Sequence, residues 1–331
     1  MEVRQYSSGP DLQIYDAWVR AHPDGSLWQA LSWKTYQEAL GRETRIYVLL
    51  EGAQIVASAL VVVDRTAFGF STWNIPRGPL FGRLAMSDER LSAALLDGII
   101  FDAMKERCLS LFLSPPIKLN AHRWPLAASP RHEQPEATRL INLTQSETEI
   151  LKKMKPKGRY NIAVAEKHDV RVAPSQDIDA FYALLKETGG RDQFGILPKV
   201  HYGAFLRELP GSFLLLAPLP ASPQPIAGLL GVVWGTKGIY YYGASKYAER
   251  ASMAPYALQW AAMRHRKAHG CRVYDLLGVA PPDADVNHPW HGVSMFKEKF
   301  GGEVLTYPPE QQIILRPTAY QLLRMKRRLL G

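Results

Sequence analysis

Cysteine is nearly missing from this 331-residue chain, which holds only Cys108 and Cys271. Two isolated thiols argue against a disulfide framework and a thiolate zinc cluster, and they suit a reducing compartment. Long apolar runs are missing too. No stretch reaches the roughly 18 residues that cross a bilayer, and the opening MEVRQYSSGPDLQ lacks the apolar core of a secretion signal. The expectation is a cytoplasmic protein. Acidic residues are the minority charge, with 31 Asp and Glu against 40 Lys and Arg, a net charge of +9. That balance favours a polyanionic partner: nucleic acid, a nucleotide or an anionic membrane face.

Two further absences bear on chemistry. There is no Gly-x-Ser-x-Gly elbow, and Cys271 opens an apolar strand where a buried thiol is inert. With no nucleophile of its own, an enzyme of this sequence would position two substrates against each other. Acyl-coenzyme A transferases hold the cofactor's pyrophosphate on a glycine-rich turn at a helix N-terminus. The segment that should supply the turn, KYAERASMAP from Lys246 to Pro255, contains no glycine, and side chains there hinder close backbone approach. No metal set completes itself either. His288 and His291 lie three apart and His265 and His269 four apart, without a carboxylate or cysteine to finish either pair. These histidines read as core or solvated residues, and neither a metal nor another cofactor is expected.

What the sequence does contain is an α+β pattern, with hydrophobic residues at 47% and charged ones at 21%. Residues 46–63 read as a hairpin broken at Glu51-Gly52, followed by a strand at 68–73 and the turn Pro76-Arg77-Gly78-Pro79. Apolar spacing predicts a helix over 87–106, then a buried strand in LSLFLSPPI, while 120–137 reads as a loop. Thr144 and Glu147 form a candidate capping box opening a helix that carries Lys152, Lys153, Lys155, Lys157 and Arg159. Beyond it come a strand at VRVAP, helical stretches at 177–188 and 199–208, and strands at 212–217, 226–234 and 238–243. A helix capped by Ser252 and closed by Gly270 leads into the strand CRVYDLLGV. The two halves share an order of elements, so a duplicated fold is one reading. The basic cluster at 152–159 and the tail Arg324, Lys326, Arg327 and Arg328 read either as polyanion-binding patches or as solvated faces. The tail's leucines at helical spacing could lie against the fold, a membrane or RNA.

An ordered set of motifs then emerges: Gln29 and Trp33-Lys34 in LWQALSWKTY, the PRGP turn, LKKMKPKGRYNIAVAEKHDVRV, TGGRDQF, IYYYGASKYAERASMAPYALQW, GCRVYDLLGV and GVSMFKEKFGGE. Together they make nearly the whole chain resemble the FemABX family, which transfers amino acids from aminoacyl-tRNA onto peptidoglycan precursors. The chain is similar to the compact members that lack a helical-hairpin insertion. The resemblance implies two tandem acetyltransferase-like (GNAT-like) domains without coenzyme A. The first would comprise 1–143 with 316–331 on the acceptor side, and the second 144–315 on the aminoacyl-tRNA and catalytic side. Implied partners are aminoacyl-tRNA and a muramyl-peptide precursor, nucleotide- or lipid-linked, with peripheral contact at the inner membrane face.

The resemblance also assigns residues. Phe296-Lys297 match the pair that sits where donor and acceptor meet, which implies that Lys297 steadies the oxyanion and Phe296 stacks on the terminal adenine. The residues alone also permit an amphipathic helix with core phenylalanines and solvated lysines. Lys34 and Trp33 match a region that binds the acceptor's nucleotide or diphosphate, and Arg77 would add charge there unless it only shapes its turn. Tyr242 matches a tyrosine lining the acceptor site, against simple strand packing. The 152–159 cations and Lys299 would face tRNA. Two departures stand out. Leu197 and His201 occupy places where members binding the soluble nucleotide precursor carry arginine and tyrosine, leaving Lys199 as a substitute charge. Ser114 precedes Pro115 where the family often has an aspartate, so no protein base is evident.

Overall fold

A computed structural model describes residues 1–82, 89–119, 123–131, 133–192, 195–220 and 222–330. Gln193 and Phe194 of the RDQF motif, and the side chains of Lys326, Arg327 and Arg328, lie outside the described residues. The chain divides into two compact units, Met1–Glu136 with Tyr307–Gly331, and Ala137–Thr306. The breaks fall at 137 and 307 rather than at 144 and 316, and backbone pairing is the reason. Ala137–Asn142 bonds antiparallel to Val273–Val279, while Gln311–Ile314 bonds to Cys108–Leu113.

The first unit is built on a mixed sheet of eight strands among the described residues. Glu2–Tyr6, Glu43–Glu51, Gln54–Arg65 and Ser71–Ile75 run as antiparallel neighbours, and Ser71–Ile75 then pairs parallel with Cys108–Leu113. A parallel pair needs a crossover, and the helix Glu89–Lys105 supplies it, burying Leu95, Ile99 and Ala103 against Val61, Trp73 and Leu111. The expected strand at 68–73 starts later, at Ser71. Phe68 instead takes a left-handed φ of 62° inside the turn Ala67–Gly69. Gln29 is fully buried and explains much of the local order. Its amide donates to the Pro76 carbonyl (2.7 Å) and accepts from the Leu60 N–H (2.8 Å), tying the PRGP turn to the sheet.

The second unit repeats that plan on a seven-stranded sheet of the described residues. Ser212–Leu219, Ser222–Trp234 and Lys237–Ser245 form an antiparallel meander. The helix Ala254–Ala268 crosses over to Val273–Val279, which pairs parallel with Lys237–Ser245. Two local expectations are corrected. The capping box is Ser146 with Glu149, not Thr144 with Glu147, and the basic stretch is two helices, Glu147–Lys153 and Pro156–Lys167. Lys155 precedes a proline, which disfavours the helical conformation at that residue. The long helix is capped by Met253 at φ 54°, and Ser252 instead donates its hydroxyl to the Glu249 carbonyl. Gly301 (φ 76°) turns the chain after the FKEKF segment, and a Cβ there would stand 2.5 Å from the Lys153 carbonyl. Among the described residues no helix is long and apolar enough to cross a membrane.

Candidate active site

The second unit's parallel strands pair only from Lys237↔Val273 to Ile239↔Asp275 and then part. On the departing strand, the register against Ala137–Asn142 shifts between Asp275 and Gly278, and Leu277 takes a φ of 58°. Asp275 holds this bulge. Buried at 3% exposure, it accepts from the Leu277 N–H (2.8 Å) and from the Thr138 hydroxyl. The result is a Gly278 carbonyl turned toward the short helix His291–Lys297. Ser294 fastens that helix to the strand end, donating to the Trp290 carbonyl and accepting from the Ala280 N–H, both at 2.7 Å.

Lys297 ends the helix with its side chain turned inward, and the residue is 6% exposed. Its Nζ donates to the Gly278 carbonyl at 2.6 Å and lies 5.5 Å from the Tyr240 ring centroid. Burial pushes the ammonium's pKa down to about 8, with the Asp275 carboxylate opposing the shift. The phenylalanines on either side pack in the core, Phe296 and Phe300 both against Tyr256 (5.1 and 5.5 Å). Phenylalanines in the core and lysines in solvent is therefore half right: the lysine at 297 is inside, and Lys299 is half-buried.

Beside this lysine lies a cavity of about 980 Å³, bordered by Tyr240, Gly243, Met253, Tyr256, Val293 and Phe296, with Arg191, Lys246 and Arg250 among its charged lining. Lys297 is not itself a wall residue; Tyr240 and Phe296, its neighbours, are. A Cβ on Gly243 would stand 2.0 Å from the Tyr240 hydroxyl, so only glycine leaves that ring its place. The helix start at Ala254 is a poor pyrophosphate cradle. Pro255 has no N–H, and the Met253 and Tyr256 N–H groups already donate to the Arg250 and Met253 carbonyls (3.3 and 2.9 Å).

The other residues singled out from the sequence are scattered. Tyr242 packs against Tyr202 and Phe205 (4.9 and 5.7 Å), away from Lys297. A bulge makes Tyr241 the extra residue between the pairs Leu230↔Tyr242 and Gly231↔Tyr240, which reverses the usual alternation and gives the cavity Tyr240. Arg77, at φ 52° and 4% exposure, stacks 3.7 Å from the Tyr307 ring centroid and donates to the Pro135 carbonyl (2.6 Å), as a turn-shaping residue does. Trp33 is buried against Trp28 and Tyr36, and Lys34 pairs with Glu38 at 2.5 Å. Lys199 pairs with Asp179 (2.6 Å) and begins the helix that carries the half-buried His201. Lys152, Lys153, Lys155, Lys157 and Arg159 are exposed; Lys155 reaches Glu298 (2.7 Å), and Lys157 lies 5.0 Å from the ring of the exposed Tyr160.

The histidine pairs serve structure. His269 Nδ1 lies 2.7 Å from the His265 carbonyl, and His288 Nδ1 accepts from the Trp290 N–H. Among the described residues no three His, Cys, Asp or Glu side chains gather to hold a metal. Burial pushes the Cys108 thiol up to about 12 and raises Cys271 as well. Two features were not singled out as site residues from the sequence. Asp275 was discernible, since one carboxylate in the apolar strand CRVYDLLGV asks for a buried partner. In the first unit, Glu310 does bring a carboxylate beside Ser114, whose hydroxyl it accepts at 3.2 Å, though Ser129 (2.6 Å) and Arg131 (3.3 Å) already engage it. Nothing local in sequence links residues nearly two hundred positions apart.

Known proteins share this architecture. A model of the FemAB family matches residues 12–125, 126–223 and 219–328. The lipid II:glycine glycyltransferase of Staphylococcus saprophyticus is 20% identical over 392 residues, covering 94% of this chain and 93% of that protein. That alignment is longer than the whole chain, so the relative carries segments with no counterpart here. The crystal structure of FemX superposes with a TM-score of 0.78 at 20% identity, over 97% of this chain and 99% of that one. A tandem GNAT protein from the clavulanic acid biosynthesis pathway gives 0.54 at 11%, over 94% and 97%. The fold is thus a tandem of GNAT-like units.

Proposed function

The chain belongs to the FemAB family of transferases, and on that premise we propose that it moves an amino acid from aminoacyl-tRNA to an amine of a muramyl-peptide precursor. The donor is the ester at the tRNA 3′ end. The acceptor is the stem peptide of a lipid-linked precursor, in keeping with the lipid II named for the staphylococcal relative. The second unit receives the donor and the first unit the acceptor, with the exposed cations at 152–159 facing the tRNA.

One observation carries the reading: Lys297 is a buried ammonium whose single hydrogen bond among the described residues goes to Gly278. Two N–H bonds remain for a ligand, next to a cavity large enough for an aminoacyl-adenosine. When the amine attacks the ester carbonyl, a C–N bond forms and the carbonyl oxygen gains the negative charge. An ammonium held in a water-poor site stabilises that charge by a few kcal/mol (about 3). Collapse breaks the C–O bond to the ribose, and the proton shed by the amine ends on the departing ribose oxygen. Phe296 borders the cavity, and in this reading it stacks on the terminal adenine, worth about 1–3 kcal/mol.

The test is purified protein, charged tRNA carrying a labelled amino acid, and lipid-linked and nucleotide-linked muramyl pentapeptides. Label is expected on the stem peptide. No transfer to either acceptor from any charged tRNA overturns the reading.

A further inference from the structure

We propose that the Tyr240 hydroxyl is a second hydrogen-bond donor to the ester carbonyl oxygen, acting beside Lys297, and that Gln259 is the residue that aims it. The inference rests on the donor ester proposed above for the same cavity, and it adds a group that shares the developing charge. Tyr240 is the first residue past the last parallel pair, Ile239↔Asp275, so it stands where the strands Lys237–Ser245 and Val273–Val279 part. The Lys297 ammonium, bonded to Gly278 on the other strand, lies 5.5 Å from the Tyr240 ring centroid. Tyr240 and Gln259 both border the cavity.

The direction of the hydroxyl follows from a chain of three side chains on three elements. Tyr274 is fully buried, and burial raises its pKa well above the ordinary tyrosine range, so it stays a hydroxyl. It donates to Gln259 Oε1 at 3.0 Å. Gln259, on the helix Ala254–Ala268, is 2% exposed. With its oxygen engaged, its amide N–H serves the hydroxyl oxygen of Tyr240, to which it is hydrogen-bonded. An oxygen that accepts from an amide keeps its own proton to give. Of the three side chains, Tyr274 and Gln259 are buried and Tyr240 is only half-buried, so the chain ends on an O–H presented to the cavity. Burial pushes Tyr240 up to about 12, and the proton is in place wherever Lys297 titrates.

Hydrogen-bond polarity selects the atom that is met. A hydroxyl whose oxygen is already engaged suits an acceptor, which favours the ester carbonyl over the ammonium of the aminoacyl group. The oxyanion of a tetrahedral intermediate takes more than one hydrogen bond, and preorganised donors aimed at it lower the barrier most. Lys297 supplies a charge from one strand end, and Tyr240 a neutral donor from the other.

Steady-state transfer of a labelled amino acid from charged tRNA tests this. Tyr240→Phe keeps the ring in the core and removes only the hydroxyl. It should lower kcat about 100-fold and leave KM for charged tRNA within about threefold. The alkaline limb of its pH profile should stay at about 8, because Lys297 is untouched. Gln259→Met should lose about tenfold, and the double variant should be no slower than Tyr240→Phe, since Gln259 acts through that hydroxyl. A Tyr240→Phe variant with wild-type kcat, or with a loss confined to KM, overturns the proposal and leaves the transferase reading standing. A displaced alkaline limb overturns it too, by showing that the hydroxyl serves Lys297 and not the ester. Losses that multiply in the double variant overturn the aiming role of Gln259. Wild-type protein that transfers nothing from any charged tRNA overturns both readings.

Discussion

Lys297 concentrates an opposition between stability and activity. Lowering a lysine from 10.5 to about 8 means that burying its charge costs about 3 kcal/mol at neutral pH. Lys297→Met is therefore expected to hold or raise the melting temperature at pH 7 while cutting transfer by about 100-fold or more, checked by thermal unfolding and the labelled assay. The pH dependence separates two roles for the same side chain. If the ammonium is the working form, activity falls as pH rises through about 8; a free-amine base would make it climb there. Stability runs the other way. The unfolded chain holds the extra proton between about 8 and 10.5, so this residue's contribution to stability increases with pH across that window. From sequence, Phe296-Lys297 could be picked out through their motif, yet their burial could not, because alternating Phe and Lys fits a solvated helix equally well. Tyr242 belongs to the motif that points to the acceptor site; a one-residue bulge parts it from Tyr240, which borders the cavity while Tyr242 packs against Tyr202 and Phe205.

The bulged strand Val273–Val279 and its aspartate set where the lysine's carbonyl partner points. Asp275→Asn keeps the shape and removes the carboxylate charge that opposes the burial penalty on Lys297, so the alkaline limb of the pH–activity profile should move below about 8. An unmoved limb would mean that Asp275 does no more than hold the bulge. In the first unit, Gln29→Ala strips the Leu60 N–H and the Pro76 carbonyl of their buried partner, and a loss of about 1–3 kcal/mol by urea unfolding is expected. Periodicity placed most helices and strands. It missed the break before Pro156, because the cations run through it without a change in pattern, and it set the strand at 68–73 too early, because nothing in TAFGFS announces a phenylalanine with positive φ.

At the scale of the molecule, the repeated order of elements was visible in the sequence, and the tandem of similar sheets follows from it. The unit boundaries were not, since Ala137–Asn142 and Gln311–Ile314 find partners far along the chain that no local signal names. The net charge of +9 takes a place in the exposed cations on the helix pair from 147 to 167. Replacing Lys152, Lys153 and Lys157 by alanine should weaken tRNA binding and lower the slope of log K against log salt by about one unit for each phosphate no longer neutralised. An unchanged slope would make that face a solvated one. The start of the helix Ala254–Ala268 has a wider consequence. It has a proline in its first turn, and the Met253 and Tyr256 amides are already bonded to the Arg250 and Met253 carbonyls, which makes it a poor holder for the diphosphate of a thioester cofactor. A surplus of coenzyme A added to the transfer assay should leave the rate untouched, and competition by that nucleotide would mean the helix start can still seat a diphosphate.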